Sequence, residues 1–398
     1  MKINSCSEKI DEVLTRRVDK ILPTKAELKS LMRKKKIRLY LGIDPTGTKL
    51  HLGHSVALKK LQEFADLGHE AILLVGTGTV LAGDPSGRDK ARPYITEKEI
   101  KRNIATWKKQ ASKILDFSKI KIKYNGDWLL KLDLKGIIEI ASNISSIRLF
   151  KRDMFQKRIK RGDTVWMHET LYPLLQGYDS VAMDVDLEIG GTDQTFNMLI
   201  GRELQQKMKN REKLVLTVPM ILGIDGNQMS KTSGNCVWLS DSPKEMFGKI
   251  MSIPDKLIIS YFETLTNVPI DLVKQYKRQL KLKKVNPMTL KEALGFEIVQ
   301  IYHSKRKAKI AQSEFTRVFK QKKLPQKIVK VSIKEKAINI LDLLIKTKLV
   351  SSKTEGKRLI LQKGVKIDGK VEKDWKVIVK TKKGQVVQVG KRKFAKIE

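Results

Sequence analysis

The stretch Leu39-Tyr-Leu-Gly-Ile-Asp-Pro-Thr-Gly-Thr-Lys-Leu-His-Leu-Gly-His54 decides the fold. It opens as a short apolar strand, turns through Asp44-Pro45-Thr46-Gly47, and enters a helix at about His51 that runs to Leu67. Proline fixes φ in that turn, and glycine accepts backbone angles that other residues avoid. Val56, Leu58, Leu61, Phe64 and Ala65 give the helix a wide apolar face, Gly68 ends it, and residues 71–75 read as a second strand. Strand, turn, helix, strand begins a parallel sheet with crossover helices. His51 and His54 stand on one face at the helix start, where N–H groups and the positive helix end favour a phosphate. Gly53 between them lets a ligand approach the backbone. Taken alone, the pair also suits simple capping. Zinc is disfavoured, because no cysteine or third histidine lies at ligand spacing.

Composition narrows the function. The chain has 398 residues, enough for two or three domains, and a formal net charge of +38. Such an excess fits a polyanionic partner, most simply nucleic acid, better than small neutral substrates alone. Cys6 and Cys236 are far apart, which argues against a disulfide scaffold and suits a reducing cytoplasm. The first residues lack the apolar run of a signal peptide, and no stretch is long and apolar enough for a bilayer.

Further along, Gly83-Asp84-Pro-Ser-Gly87-Arg88 leads to Arg92 in a glycine-flanked basic loop suited to phosphates, although no Walker motif is present. Asn125-Gly-Asp-Trp128 follows the strand 120–124, and Trp128 reads as core. Residues 147–161 read as one strongly basic helix with a solvated face. Tyr172, Gln176 and Asp179 recur at four and three, so one helix face aims a phenol, an amide and a carboxylate in one direction. That pattern suits either a polar pocket or a buried, satisfied network. Residues 181–186 read as a strand, and Gly190-Gly191-Thr-Asp193-Gln194 lets the backbone approach a ribose whose hydroxyls Asp193 can take. Gln228-Met229-Ser230-Lys231-Thr232 sits in a polar, glycine-flanked loop. A long helix reads from 290 to about 311, with His303 at the surface. Residues 321–398 carry 23 Lys and Arg against 7 Asp and Glu, yet keep ordered apolar spacing. Two helices against a small basic sheet suggest an RNA-binding module.

His51-Leu-Gly-His54 and Gln-Met-Ser-Lys-Thr232 resemble the two signature loops of class I aminoacyl-tRNA synthetases. The words around them, with Gly-Asp-Pro-Ser-Gly and Gly-Gly-Thr-Asp-Gln, resemble the bacterial tyrosyl-tRNA synthetases over essentially the whole chain. The resemblance implies an α/β fold: a Rossmann-like parallel-sheet catalytic domain, an all-α anticodon-binding domain and a small α+β S4-like domain. Its expected bounds are a helical leader at 1–38, the catalytic domain at 39–240, the anticodon segment at 241–320, a linker at 321–332 and the S4-like module at 333–398. It implies catalysis by His51, His54, Thr46, Arg88, Arg92, Lys231 and Thr232 on the ATP phosphates. It implies a tyrosine site of Tyr40, Asp84, Tyr172, Gln176, Asp179 and Gln194, in which Tyr40 and Asp179 meet the substrate phenol. Gly42, Asp44, Gly53, Gly191, Asp193, Met229 and Ser230 are implied for ATP, and Lys353, Lys357 and Arg358 for RNA. The expected reaction is activation of L-tyrosine with ATP and transfer to tRNA(Tyr) by a cytoplasmic homodimer. Magnesium accompanies ATP; no organic cofactor, protein-held metal, membrane or DNA partner is expected. Gln228 departs from the pattern, since a lysine opens that loop in the family, and opens an alternative: a weak or inactive synthetase-like RNA-binding protein. A tryptophan enzyme shares both signatures, but Tyr40 with Asp179 argues against it.

Overall fold

A six-stranded sheet organises the first part of the chain. The computed structural model describes residues 3–4, 6–86, 95–229, 234–321, 328–333, 335–390 and 393–398. The strands are β1 (Lys20–Leu22), β2 (Arg38–Ile43), β3 (Glu70–Val75), β4 (Ile120–Tyr124), β5 (Leu187–Gly191) and β6 (Leu214–Val218), in spatial order β1-β6-β5-β2-β3-β4. Strands β2 to β6 are parallel, and β1 runs antiparallel along β6. The parallel run starts at β2, moves outward through β3 and β4, then returns to the other side of β2 with β5. That reversal creates a switch point at the carboxyl ends of β2 and β5, where open parallel sheets leave a crevice for ligands.

The central strands are covered on both faces and are near-continuous apolar runs, as in β3 and β6, Leu-Val-Leu-Thr-Val, which is buried throughout, whereas the edge strand β4 alternates as Ile-Lys-Ile-Lys-Tyr. Tyr40, Ile72, Leu74, Met183 and Val185 pack together on one face. The helix Leu52–Asp66 joins β2 to β3, with His51 as its N-cap rather than its first residue.

Four elements differ from the sequence expectation. Within the leader expected to be helical, Lys20–Leu22 forms β1, because its backbone pairs with the edge of β6. Residues 181–186 do not form a strand. The helix Met167–Met183 continues through Val181, and Asp184 then turns the chain in the left-handed region at φ 51°. Aspartate tolerates that conformation, so strand spacing there was the residue of a helix end. The basic run 147–161 splits into helices Ser146–Phe150 and Asp153–Lys160, with Arg152 extended between them. The long C-terminal helix breaks at His303 into Pro287–Tyr302 and Lys305–Phe315; His303 is half-buried and its Nε2 lies 3.0 Å from the Asp241 carbonyl.

The chain divides into two compact units, 1–241 with 249–305, and 242–248 with 306–398. In the second, helices Ile340–Lys346 and Lys353–Leu361 pack on short strands around Ile340, Leu343, Leu344, Ile360, Val365 and Val387. No helix among the described residues is long and apolar enough to cross a membrane.

Candidate functional site

A cavity of about 620 Å³ opens at the switch point. Every described residue that the sequence singled out for ATP or tyrosine lines it. Arg88, Arg92, Ser230, Lys231 and Thr232 lie outside the described residues.

The histidine end is built by capping. The ring Nδ1 of His51 accepts the Gly53 N–H, and the ring Nδ1 of His54 accepts the His51 N–H, each at 3.1 Å. A neutral imidazole that accepts at Nδ1 carries its proton on Nε2. The two rings, 3.8 Å apart between centroids, are therefore both set as Nε2–H donors at a positive helix end. Capping is compatible with a ligand-facing role here. Gly53 is needed for an unforeseen reason: a Cβ there would stand 2.8 Å from the His51 ring. Backbone hydrogen bonds from Leu52 to Val237 (2.9 Å) and from Leu239 to Leu50 (2.8 Å) fasten the segment after the second signature loop to the start of the histidine helix. Gln228 lines the same cavity, and its carbonyl accepts from Asn235 Nδ2 at 2.9 Å.

The middle of the cavity gathers acceptors. Asp84 is 8% exposed. Its Oδ1 accepts the Ser86 N–H at 2.9 Å and its Oδ2 accepts Gln194 Nε2 at 3.0 Å. The same Gln194 nitrogen also reaches Asp193 Oδ2 at 3.1 Å, while Asn197 Nδ2 holds the Gln194 carbonyl at 2.9 Å. Tyr172 donates its hydroxyl to Asp44 Oδ2 at 3.0 Å, so its oxygen is presented as an acceptor. Asp44 Oδ1 takes the Thr79 hydroxyl at 2.8 Å, which fixes the turn that also carries Thr46. Gln176 Oε1 is buried and has no hydrogen-bond partner among the described residues.

The far end is dry. Tyr40 and Asp179 are 0% and 2% exposed. Asp179 accepts Trp128 Nε1 on one oxygen and Asn125 Nδ2 on the other, at 2.9 and 3.0 Å. Trp128, expected as core, thus serves to aim this carboxyl. Burial pushes the Asp179 carboxyl well above the ordinary aspartate range, against the pull of these two donors. Burial, with the nearby Glu188 and Asp179, likewise raises Tyr40 well above the ordinary phenol range, so it stays protonated. Tyr40 does not bond Asp179; its hydroxyl lies 2.9 Å from Ser180 Oγ.

Sequence reasoning missed Ser180, Glu188, Lys213 and Arg152. Ser180 follows Gln176 by four on the same helix, and Glu188 is the one charge in an apolar strand; both were readable signals. Lys213, pulled below its ordinary pKa by burial, gave none. The solvated-face expectation for 147–161 fails at two arginines. Arg158 is 3% exposed and forms a two-pronged pair with Glu169 at 2.8 and 3.0 Å. Arg152 is 8% exposed, lies over the Phe196 ring and donates to Ser86 Oγ at 2.9 Å, bracing the loop that carries Asp84.

In the second unit Lys353, Lys357 and Arg358 are exposed on one helix. Lys353 pairs with Asp342 at 2.6 Å and Lys357 lies 4.1 Å from the Trp375 ring centroid. Among the described residues no group of three His, Cys, Asp or Glu is arranged to hold a metal ion.

Known proteins resemble this chain in sequence and in fold. Residues 32–320 match the family model of class I tRNA synthetases (W and Y). The chain is 43% identical over 387 residues to a tyrosine–tRNA ligase of Thermotoga maritima, covering 97% of this chain and 96% of that one. It is 42% identical to tyrosine–tRNA ligase 2 of Vibrio cholerae, covering 96% and 97%. In fold it is similar to a tyrosyl-tRNA synthetase of Archaeoglobus fulgidus solved with L-tyrosine, at TM-score 0.62 and 21% identity over 77% of this chain and 99% of that one. A C-terminally truncated mitochondrial tyrosyl-tRNA synthetase of Aspergillus nidulans gives TM-score 0.66 at 22% identity, over 80% and 95%.

Proposed function

The chain belongs to the class I tRNA synthetases of the W and Y family and acts as a tyrosine–tRNA ligase, and on that footing we propose how its residues divide the work. Tyrosine, ATP and tRNA are its substrates. The tyrosine ammonium sits among Asp84, the Tyr172 oxygen and Gln176, with Gln194 steadying Asp84. The tyrosine phenol reaches Asp179 and Tyr40. The ATP ribose rests on Asp193 beside Gly191, and the nucleotide runs past Gly42, Asp44, Gly53, Met229 and Ser230 toward the histidines.

Activation needs no protein nucleophile. A tyrosine carboxylate oxygen attacks the α-phosphorus, and pyrophosphate leaves with the electron pair of the broken P–O bond. A terminal adenosine hydroxyl of tRNA then attacks the adenylate carbonyl and AMP leaves. Catalysis is positioning and charge stabilisation: the Nε2–H groups of His51 and His54 donate to phosphate oxygens, joined by Thr46, Arg88, Arg92, Lys231 and Thr232. Magnesium enters with ATP, in keeping with an ion that usually rides on substrate phosphates with few protein carboxylates.

One observation carries the amino-acid assignment: a buried carboxyl, aimed by Asn125 and Trp128, faces the cavity beside a buried phenol. Phenylalanine entering there brings no hydroxyl to either group, so the hydrogen bonds they would make to the substrate phenol are lost in a dry pocket. Rejecting an analogue that lacks the hydroxyl is then strong without editing, a behaviour for which tyrosyl-tRNA synthetases are the standard example.

We assign Lys353, Lys357 and Arg358 of the S4-like segment 333–398 to the phosphates of tRNA(Tyr), and the helical segment 241–320 to the approach of the anticodon. A symmetric homodimer is supported by apolar side chains at the surface of 130–167, among them Leu130, Leu134, Ile147 and Met167 at 64, 74, 66 and 70% exposure. Two free cysteines suit a cytoplasmic setting.

The test is ATP–pyrophosphate exchange with tyrosine, phenylalanine or tryptophan, with and without tRNA. Exchange with tyrosine alone, in the absence of tRNA, is expected. Equal exchange with phenylalanine would sink the Asp179–Tyr40 assignment, and no exchange at all would mean that Gln228 has cost the loop its function.

A further inference from the structure

Glu188 and Lys213 form an ion pair that the steps above leave unused. Their side chains are 2% and 0% exposed. Lys213 Nζ also donates to Ser180 Oγ at 2.8 Å, and that oxygen lies 2.9 Å from the Tyr40 hydroxyl. Glu188 Oε1 accepts from Gln176 Nε2 at 3.0 Å. One buried pair therefore touches both ends of the tyrosine site.

Two of these contacts have only one possible direction. An ammonium only donates, so the Ser180 oxygen must accept from Lys213. An ionised glutamate only accepts, so Gln176 must turn its NH₂ group to Glu188 and its carbonyl away. That carbonyl is buried and has no hydrogen-bond partner among the described residues, on a residue that lines the cavity. A buried acceptor left so calls for a donor, and an ammonium is one.

We propose that the Glu188–Lys213 pair positions the substrate, fixing the Gln176 amide at the ammonium end of tyrosine and the Ser180–Tyr40 contact at its phenol end. The inference rests on the tyrosine-site reading above. Glu188 and Lys213 are positioning residues, acting through Gln176, Ser180 and Tyr40.

The experiment uses the full chain with Lys213→Met, Glu188→Gln and both together, in pyrophosphate exchange with tyrosine and with phenylalanine. The pair variants raise KM for tyrosine about tenfold or more and lower the preference for tyrosine over phenylalanine, while KM for ATP stays within about twofold. A purely structural pair would lower the yield of folded enzyme without touching that preference or splitting the two KM values. If Lys213→Met leaves Glu188 unpaired and the chain does not fold, the double variant, which holds no buried unpaired charge, decides with the same readout. Unchanged tyrosine KM and preference in a folded variant overturn the proposal. Tyr40→Phe separates the two levels. If it leaves the preference intact, the tyrosine-site reading itself fails; if it lowers the preference while the pair variants do not, only the role of the pair fails.

Discussion

Charge is used in opposite ways in two regions of this chain. Around the sheet it is buried and matched: Asp179, Glu188, Lys213, Arg152, Arg158 and Glu169 are all below 9% exposure. From residue 328 onward, among the described residues, the buried polar group is the uncharged Thr347, and the lysines lie at or near the surface. The first arrangement fixes a small molecule in one pose, because buried dipoles and ion pairs cannot reorganise and water does not screen them. The second attracts a polyanion by summed field, which salt weakens. On the proposed reading, one enzyme selects its amino acid by preorganised chemistry and its RNA partner in part by displayed charge.

The comparison breaks most decisively at Asp179. Asp179→Ala is expected to lower tyrosine-dependent exchange by about a thousandfold, since Asn125, Trp128 and the substrate phenol all lose their partner. A loss below tenfold would mean that the dry end of the cavity does not hold the phenol. Salt tests the other region. With three phosphate contacts from Lys353, Lys357 and Arg358, raising salt from 50 to 200 mM should weaken tRNA binding about twentyfold or more. Exchange without tRNA should stay within about twofold over the same range, because Tyr40, Asp84, Tyr172 and Asp179 of its tyrosine site are buried. Parallel loss of both activities would erase the distinction.

Smaller effects sharpen it. Lys357→Ala should weaken tRNA binding by about threefold at moderate salt and reduce the salt slope by about one, leaving exchange untouched. Its stacking on Trp375 predicts that Lys357→Arg keeps most of the binding. The smallest effect concerns acid. Burial and the neighbouring Lys36 hold His69 down to about 4, below the ordinary 6.5. The unfolded chain therefore takes up a proton first, and stability falls as pH drops from about 6.5 toward 4. All five histidines precede residue 306, so this acid sensitivity belongs to the sheet-bearing unit. His69→Asn keeps an acceptor for the Ile37 N–H and should flatten the dependence of Tm on pH in that window; an unchanged slope would assign it to other groups.

Much of this was legible because chemistry and periodicity coincide. The histidine pair falls at a helix start, and the spacing of Tyr172, Gln176 and Asp179 places them along one helix beside the cavity. A parallel sheet with crossover helices followed from strand and helix alternation. What was not legible depends on partners distant in sequence. Nothing near Trp128 tells that its indole will meet a carboxyl 51 positions on. Lys213 looks like the solvated lysine before a strand until Glu188 and Ser180 close over it. The expected strand at 181–186 failed because alternating Val181, Met183 and Val185 suits a helix end folded back on the core as well as a strand. Arg152 and Arg158 were hidden in a basic run whose composition says surface.

The Glu188–Lys213 pair also bears on attempts to make the cavity accept enlarged or altered tyrosines. Replacing Tyr40 and Asp179 by small apolar residues would widen the dry end but leave Ser180 and Lys213 as its polar wall. A redesigned enzyme of that kind should favour ring substituents that can accept a hydrogen bond over alkyl groups of the same size. Screening the two kinds of analogue side by side would show whether the wall, rather than the space, sets the new preference.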